Sequence, residues 1–506
     1  MIFWLLSLVF LLGFITYLVV QRSVASITRT PVWILWLVMM TPALIWSTWT
    51  LVYGENNPPP PILVIGPFVT CTLLYWLLIR LGRIPNSSSS NASEATDESA
   101  VKETSHRPLA DSMVAEKQSV VRPLNQEEEA SLKSCFPWSV YYVHNIEYRP
   151  QAVICRGQLR TTPDAAYQTI RDNIAAQFGD RFLVMLQEGA KDKPFFALVP
   201  NPHSQQADQS KQEPLTRPGL ALGLLVATFF TTTLAGIEIA GVTVTSLSQL
   251  FAEPKLFLAG LPYALALMTI LGIHESGHYL TARFYKVRAT LPYFIPIPFF
   301  LGTFGAFIQI RSPIPNRKAL FDLGISGPMT GLIITLPILL WGLMHSTTVA
   351  ATDKLGLNFN ALNPSTSFLL ALLSKLALGG ALTAETAIKL HPVAIAGCLG
   401  LIVTALNLMP VGQLDGGHVV HAMFGQRTGA LIGQVTRLLV LGLSLVQPDF
   451  FLWAVLLFFM PVVDGPALND VSELDNRRDL LGLFTLGLLL MIILPAPRVV
   501  TQILGF

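Results

Sequence analysis

Apolar residues fall along this chain in long blocks rather than in short alternation. The opening MIFWLLSLVFLLGFITYLVV and the runs near 32–53 and 61–80 are each about 20 residues, enough to cross a hydrocarbon layer as a helix. A polar, low-complexity stretch follows from 84 to 132, with PNSSSSNASEATDESA inside it. Apolar runs then return near 218–241, 258–281, 321–345, 391–411, 429–447, 450–468 and 479–498. SFLLALLSKLALGGALT, Ser367 to Thr383, is shorter and glycine-broken, and reads as an interfacial or re-entrant helix. The pattern predicts an all-α polytopic membrane protein of about ten transmembrane helices.

Between the two apolar blocks the period changes. YYVHNIEY, QAVICRGQL, FLVMLQEG and PFFALVP read as strands, while Tyr167, Ile170, Ile174 and Phe178 recur at helical spacing. Thr162 is expected to cap that helix, with Pro163 in its first turn and Gly179 at its end. A small soluble α/β domain of ββαββ order is therefore expected. The organisation reads as three N-terminal transmembrane helices in 1–83, a disordered linker in 84–132, the soluble domain in 133–202, a second linker in 203–217 and a membrane-embedded catalytic region in 218–506.

Composition narrows this further. The 506 residues are 52% hydrophobic and only 13% charged, and the mean hydropathy is +0.54. That excludes an ordinary soluble protein. A net charge of +2 gives no nucleic-acid footprint, so no nucleic-acid partner is expected. The four cysteines show no CxxC spacing and point to neither a disulfide framework nor a thiolate metal site. The first apolar run lacks a basic leader and an A-x-A cleavage site, and is expected to be a retained anchor rather than a signal peptide; no transit peptide is visible. Basic residues Arg22 and Arg29, Arg80 and Arg83, Arg283, Lys286 and Arg288, and Arg311, Arg317 and Lys318 fall on alternate connections, predicting these as cytoplasmic.

Against this background LGIHESGHYL, Leu271 to Leu280, places ionisable groups inside an apolar run, where each costs about 2.5 to 3.5 kcal/mol on insertion scales. Residues four apart share a helix face, so His274 and His278 can aim their imidazoles at one ion with Glu275 beside it. Two neutral imidazoles suit tetrahedral zinc, and the carboxylate suits a general base for water. The bland alternative is polar packing between helices. A third ligand is needed. The continuation HExxHxxGxxH is excluded, because Thr281 and Phe284 stand where its glycine and histidine belong. Glu385 and Asp415 remain, and Asp415 is the better placed: in NLMPVGQLDGGHVV a helix ends near Asn407 and Pro410, and Asp415 follows in an expected glycine-flanked turn at comparable depth.

HESGH followed by NLMPVGQLDGG resembles the site-2 protease family of intramembrane zinc metalloproteases, whose signature pairs HExxH with a downstream Asn-x-x-Pro…Asp-Gly motif. FGAFIQIRSPIPNRKALFDLGISGPMTGL is similar to the branch found in cyanobacteria and plant plastids, which includes the ethylene-dependent gravitropism-deficient and yellow-green proteins. The resemblance covers roughly residues 258 to 420, and no PDZ-like insertion follows the HExxH segment. It implies that His274, His278 and Asp415 bind one zinc ion, that Glu275 is the catalytic acid and base, and that Asn407 stabilises the oxyanion. That branch also carries a soluble Gly-Asn-Leu-Arg element; here RGQLR has Gln158 in place of the asparagine.

LPYFIPIPFFLGTFGAFIQIRSPIP, Leu291 to Pro315, is apolar but broken by five prolines and cannot be a continuous helix. A re-entrant, β-hairpin-like loop is expected, with Gly305–Ser312 either pairing with an unwound substrate or plugging the space between helices. Gly327 and Gly331 mark a close-packing helix face. His418 is a candidate to orient a ligand, or else a solvated loop residue. The expectation is an intramembrane zinc endopeptidase acting on transmembrane protein substrates in a lipid bilayer, its site on the cytoplasmic side of a bacterial plasma membrane or a thylakoid membrane. The alternative is a transporter or metal-binding scaffold using the same residues without proteolysis. What the soluble domain binds is unknown from sequence.

Overall fold

The structure is a computed structural model. It describes residues 30–53, 126–149, 152–189, 193–201, 217–242, 253–297, 301–350, 367–381, 386–446 and 450–497, with isolated positions among 13–78 and at 502. The predicted spans at 2–20 and 61–80, Glu385 and most of the 84–132 linker lie outside the described residues or are described only at isolated positions. The chain forms two units, Met1–Val114 and Ala115–Phe506.

In the first unit, helix α1 (Val32–Tyr53) buries Leu35 against Val32, Met39, Tyr75 and Leu78. The second unit opens with α2 (Gln126–Ser134), whose first turn holds Glu127, Glu128 and Glu129 and whose last holds Lys133, an order that complements the helix dipole. Residues 126–132 had read as linker. They are helical because Leu132 is buried in the core of the sheet that follows.

That sheet contains β1 (Tyr141–Arg149), β2 (Ala152–Leu159), β3 (Phe182–Glu188) and β4 (Pro194–Pro200) in the order β1-β2-β4-β3, all neighbours antiparallel. Helix α3 (Pro163–Phe178) lays Tyr167, Ile170 and Ile174 on one sheet face against Tyr141, Cys155, Leu186 and Phe196. Thr162 occupies the N-cap position but makes no side-chain cap bond. RGQLR lies across the end of β2. Gly157 faces a bulge in β1, and a Cβ there would stand 2.1 Å from the Tyr142 carbonyl oxygen, so only glycine fits. Arg156 pairs with Glu147 at 2.8 Å, and Arg160 lies over the rings of Trp138 and Tyr142. Burial, with Cys135 nearby, pushes the Cys155 thiol up to about 12, which leaves it inert.

The rest is mostly helical: α4 (Pro218–Ile239), α5 (Lys255–Phe284), α6 (Arg317–Met344), α7 (Phe368–Leu378), α8 (Pro392–Leu408), α9 (Asp415–Phe424), α10 (Gln426–Val446), α11 (Phe451–Phe459) and α12 (Asn476–Ile493). Among the described residues five helices are long and apolar enough to cross a membrane: parts of α1 and α10, and all of α4, α5 and α6. The protein is a membrane protein by this measure. Its main core joins α5, α6 and α8 through Tyr263, Leu267, Leu271, Leu332, Leu339, Ala396 and Leu401. The short Ser367–Thr383 segment holds the eleven residues of α7, capped by the Ser367 hydroxyl and ended at Gly379 with φ +56°.

Among the described residues of this region, two hairpins and an irregular strap interrupt the helices. Between α5 and α6, β5 (Tyr293–Pro296) pairs with β6 (Thr303–Phe307) as an antiparallel hairpin, extended by an Ala289–Ile310 bridge. Its tip is pinned where Tyr263 and Thr231 hydroxyls donate to the carbonyls of Leu301 and Gly302 at 3.0 and 2.6 Å. A second hairpin, β7 (Thr347–Ala350) with β8 (Thr386–Lys389), follows α6. The apolar run at 450–468 is not one helix. Pro461 cannot continue α11, which stops at Phe459, and Met460 to Asp475 runs on as an irregular strap.

Candidate metal centre

Helix α5 carries HESGH near its C-terminal end, and the one-turn spacing sets His274 and His278 on a common face, their ring centroids 5.0 Å apart. That face meets α6 at its glycines. A Cβ at Gly327 would fall 2.0 Å from His278 Nε2, and one at Gly331 would fall 3.0 Å from His274 Nδ1, so the two helices approach this closely only because those side chains are absent. The reward is a fixed ring. His278 Nδ1 donates to the Leu323 carbonyl at 2.9 Å, which sets the tautomer and turns the lone pair of Nε2 inward.

Asp415 reaches the same point from a different element. It is the first residue of α9 rather than a turn residue, with Leu414 at the N-cap. Its glycine neighbours allow this: Gly416 and Gly417 lie against the carbonyls of Leu408 and Gly412, where any side chain would clash, so the helix can begin directly beneath the preceding loop. Asp415 Oδ2 stands 3.2 Å from His278 Nε2 and 3.6 Å from His274 Nε2, and the two Nε2 atoms are 3.3 Å apart.

Those three separations test the fit to a metal. Ligands at about 2.0 to 2.1 Å from a tetrahedral zinc stand about 3.3 Å from one another, which is the triangle formed here. The donor set, two imidazoles and one carboxylate, leaves a fourth position open, as catalytic zinc sites do. Among the described residues this is the cluster of three metal-ligating side chains with atoms close enough to share an ion.

Glu275 and Asn407 border the triangle. Glu275 is buried on α5, and the backbone of Ile308, just past β6, faces its carboxylate. Asn407, in the last turn of α8 and 133 residues from His274, sets its Nδ2 3.2 Å from His274 Nε2. The structure thus brings together His274, Glu275, His278, Asn407 and Asp415.

His418 is a helical residue of α9 and not a solvated loop residue: its Nδ1 lies 2.8 Å from Asp464. His421, marked in the sequence only by following Asp415 with His418, is the larger omission. It is 1% exposed, with Nδ1 2.7 Å from Asp464 and Nε2 3.0 Å from Asp470. Asp470 also accepts from the buried Arg317 at 3.3 Å, and Arg317 donates to Glu188 of β3 at 2.8 Å. The one signal was carboxylates in PVVDGPALND directly after an apolar run, a position that favours partners for buried charge.

The family described as Peptidase family M50 matches residues 262–446, from the second turn of α5 to the end of α10, and so takes in both halves of the triangle. Residues 262–446 form a peptidase family M50 domain. Outside the M50 domain, the family described as EGY3 middle domain matches residues 130–207, which include the four-stranded sheet and α3. The chain is 30% identical over 367 residues to the probable zinc metalloprotease EGY2, chloroplastic, of Arabidopsis thaliana, covering 72% of this chain and 63% of that protein. It is 36% identical over 242 residues to the probable zinc metalloprotease EGY1, chloroplastic, of Arabidopsis thaliana, covering 47% and 43%. It is 25% identical over 387 residues to the probable zinc metalloprotease EGY3, chloroplastic, of Oryza sativa subsp. indica, covering 72% and 63%. The chain therefore matches less than two thirds of the length of these relatives. No solved structure matches it.

Proposed function

We propose that this chain is an intramembrane zinc endopeptidase that hydrolyses peptide bonds within or near transmembrane segments of membrane-protein substrates. The observation that carries the reading is the triangle of His274 Nε2, His278 Nε2 and Asp415 Oδ2, with edges of 3.2 to 3.6 Å, inside an M50 domain. In this reading those three residues hold one zinc ion.

Zinc bound there supplies a Lewis acid for the scissile carbonyl and acidifies the attacking water. Glu275 takes the proton from that water and returns it to the leaving amine; its burial keeps the carboxylate away from bulk solvent, where the proton would be lost. Asn407 donates from Nδ2 to the developing oxyanion, a role for which one donor typically contributes about 3 to 4 kcal/mol in the transition state. The Leu323 carbonyl, by accepting from His278 Nδ1, keeps the His278 Nε2 lone pair turned into the triangle, where it would hold the ion.

A transmembrane helix hides its amides, so the substrate must be held unwound. Among the described residues β5 and β6 form a two-stranded sheet, and the exposed Phe304 and Phe307 of β6 with Ile310 beyond it offer apolar contacts. The proximity of Ile308 to Glu275 supports strand addition at this edge, which would deliver an extended segment to the base. The lipid bilayer is the setting, with about ten crossings; the long apolar runs outside the described residues support that count. A cytoplasmic active-site side, in a bacterial plasma or thylakoid membrane, is supported by the basic connections and by the contact of the four-stranded sheet with Arg317 at the start of α6. The division into helices at 1–83, linker at 84–132, soluble domain at 133–202, linker at 203–217 and catalytic region at 218–506 belongs to the same proposal.

Metal analysis of the purified full chain tests the ligand set. One zinc per chain is expected, falling to a small fraction in Asp415→Ala and in His274→Ala. Undiminished zinc in both variants would place the metal elsewhere.

A further inference from the structure

Within the strap, residues Met460 to Ser472 grip the Asp415 segment on both sides. On the loop side, the Pro461 carbonyl lies where a Cβ of Gly412 would fall, at 1.9 Å, and Gly412 itself has φ +53°, so strap and loop touch backbone to backbone. The buried Arg437 of α10 holds that end, donating from Nη2 to the carbonyls of Met460 and Pro461 at 2.7 and 2.8 Å. On the helix side, Asp464 accepts from both His418 and His421, and Asp470 accepts from the far nitrogen of His421. With a carboxylate on each ring nitrogen, His421 must donate from both. Asp415 lies between these two grips, three residues from Gly412 and three from His418.

The same strap is bonded to the four-stranded sheet. Leu186 of β3 donates to the Leu468 carbonyl at 2.7 Å and accepts from Asp470 N at 2.9 Å, so 468–470 extends the sheet at its β3 edge, and the Gln187 amide donates to Ala467 at 2.7 Å. On its other side Leu468 and Asn469 donate to the carbonyls of Ile314 and Pro315, just before α6. Asn469 and Ser472 also donate to Asp164 in the first turn of α3, at 3.2 and 2.5 Å. A hydrogen-bonded path therefore runs from the sheet through Glu188, Arg317 and Asp470 to His421, on the helix that Asp415 begins.

We propose that His421 is a positioning residue for Asp415, and that docking of the four-stranded sheet on the strap, through Glu188 and Arg317, sets the geometry of the metal centre. The inference rests on the ligand set proposed above. A short helix clamped at Asp464 and Asp470 has little freedom to rotate, so the carboxylate at its first residue inherits the register of the strap. Loosening the sheet-side contact releases one end of that clamp without touching a ligand. The soluble region thereby acts on metal affinity and on catalysis.

Cobalt substitution of the purified full chain reads this directly, because the visible spectrum of Co(II) reports ligand geometry whether or not cleavage occurs. Zinc affinity is measured beside it by chelator competition. His421→Gln is expected to weaken zinc at least tenfold, within the range seen when groups that support metal ligands are removed, and to shift the cobalt bands. Glu188→Gln, which alters a half-exposed carboxylate and keeps the fold should His421→Gln fail to fold, is expected to shift the bands in the same direction by a smaller amount. Glu147→Gln breaks an ion pair elsewhere on the same sheet and is expected to change neither. Unaltered affinity and spectrum in folded Glu188→Gln, or an equal shift in Glu147→Gln, would overturn the proposal. Failure of the parent chain to bind cobalt at all would instead overturn the ligand set.

Discussion

At the scale of single residues, two kinds of site residue differ in how they reach each other. His274 and His278 are four apart on one helix, so local periodicity alone sets their rings together, and that shared face is readable from five letters of sequence. Asp415 was reachable because NLMPVGQLDGG follows a helix end at a depth comparable to HESGH and completes the two-part signature of the family it resembles. His421 was not, since its partners lie 43 and 49 residues further along the chain and nothing local distinguishes it from a surface histidine. Its environment makes it testable by pH. Burial alone would lower the His421 pKa, but Asp464 and Asp470 outweigh burial and hold it up at about 9, with Arg317 beyond Asp470 and His418 on the other side of Asp464. Because the folded value lies above the ordinary 6.5, the pairing contributes its full stability below about pH 6.5 and loses it as pH rises through about 9. Melting temperatures in detergent are expected to fall across that window in the parent chain and to fall less in His421→Gln. Identical pH profiles would show that His421 is not the imidazolium that joins the strap to α9.

At the scale of elements, breakers mattered more than runs. Five prolines between Leu291 and Pro315 excluded a helix, and the hairpin of β5 and β6 occupies that stretch. The run at 450–468 misled because its first half is apolar enough for a span, while Pro461, Gly465 and Pro466 end helix where hydropathy does not register it. Asp415 read as a turn for a related reason. Two consecutive glycines suggest a loop, yet here they provide clearance for the start of α9. If strand addition at the hairpin serves the access step, as proposed, proline placed singly at positions 306 to 310 is expected to reduce cleavage of a transmembrane substrate at least tenfold while zinc content stays at the parent level. Intact cleavage in every such variant would leave the hairpin as a plug between helices and end the strand-addition account.

At the scale of the whole molecule, hydropathy separates a membrane part from a polar one but says nothing of how they are joined. The joint depends on main-chain bonds between Leu186 and the 468–470 segment, some 280 residues away in sequence. Pairings of that kind leave no periodicity to read. The membrane core was more legible, because the small residues that let α5 and α6 meet are the same ones that clear space for the rings of His274 and His278. What the assembled molecule offers is the triangle of His274, His278 and Asp415, a buried carboxylate and a two-stranded sheet with exposed apolar side chains. The central claim is that these perform proteolysis and not metal storage or transport. Glu275→Gln, purified as the full chain and assayed together for zinc content and for cleavage of a model transmembrane substrate, tests it most directly. Zinc at the parent level with cleavage reduced by at least a thousandfold is the predicted result; cleavage at the parent rate would contradict the account.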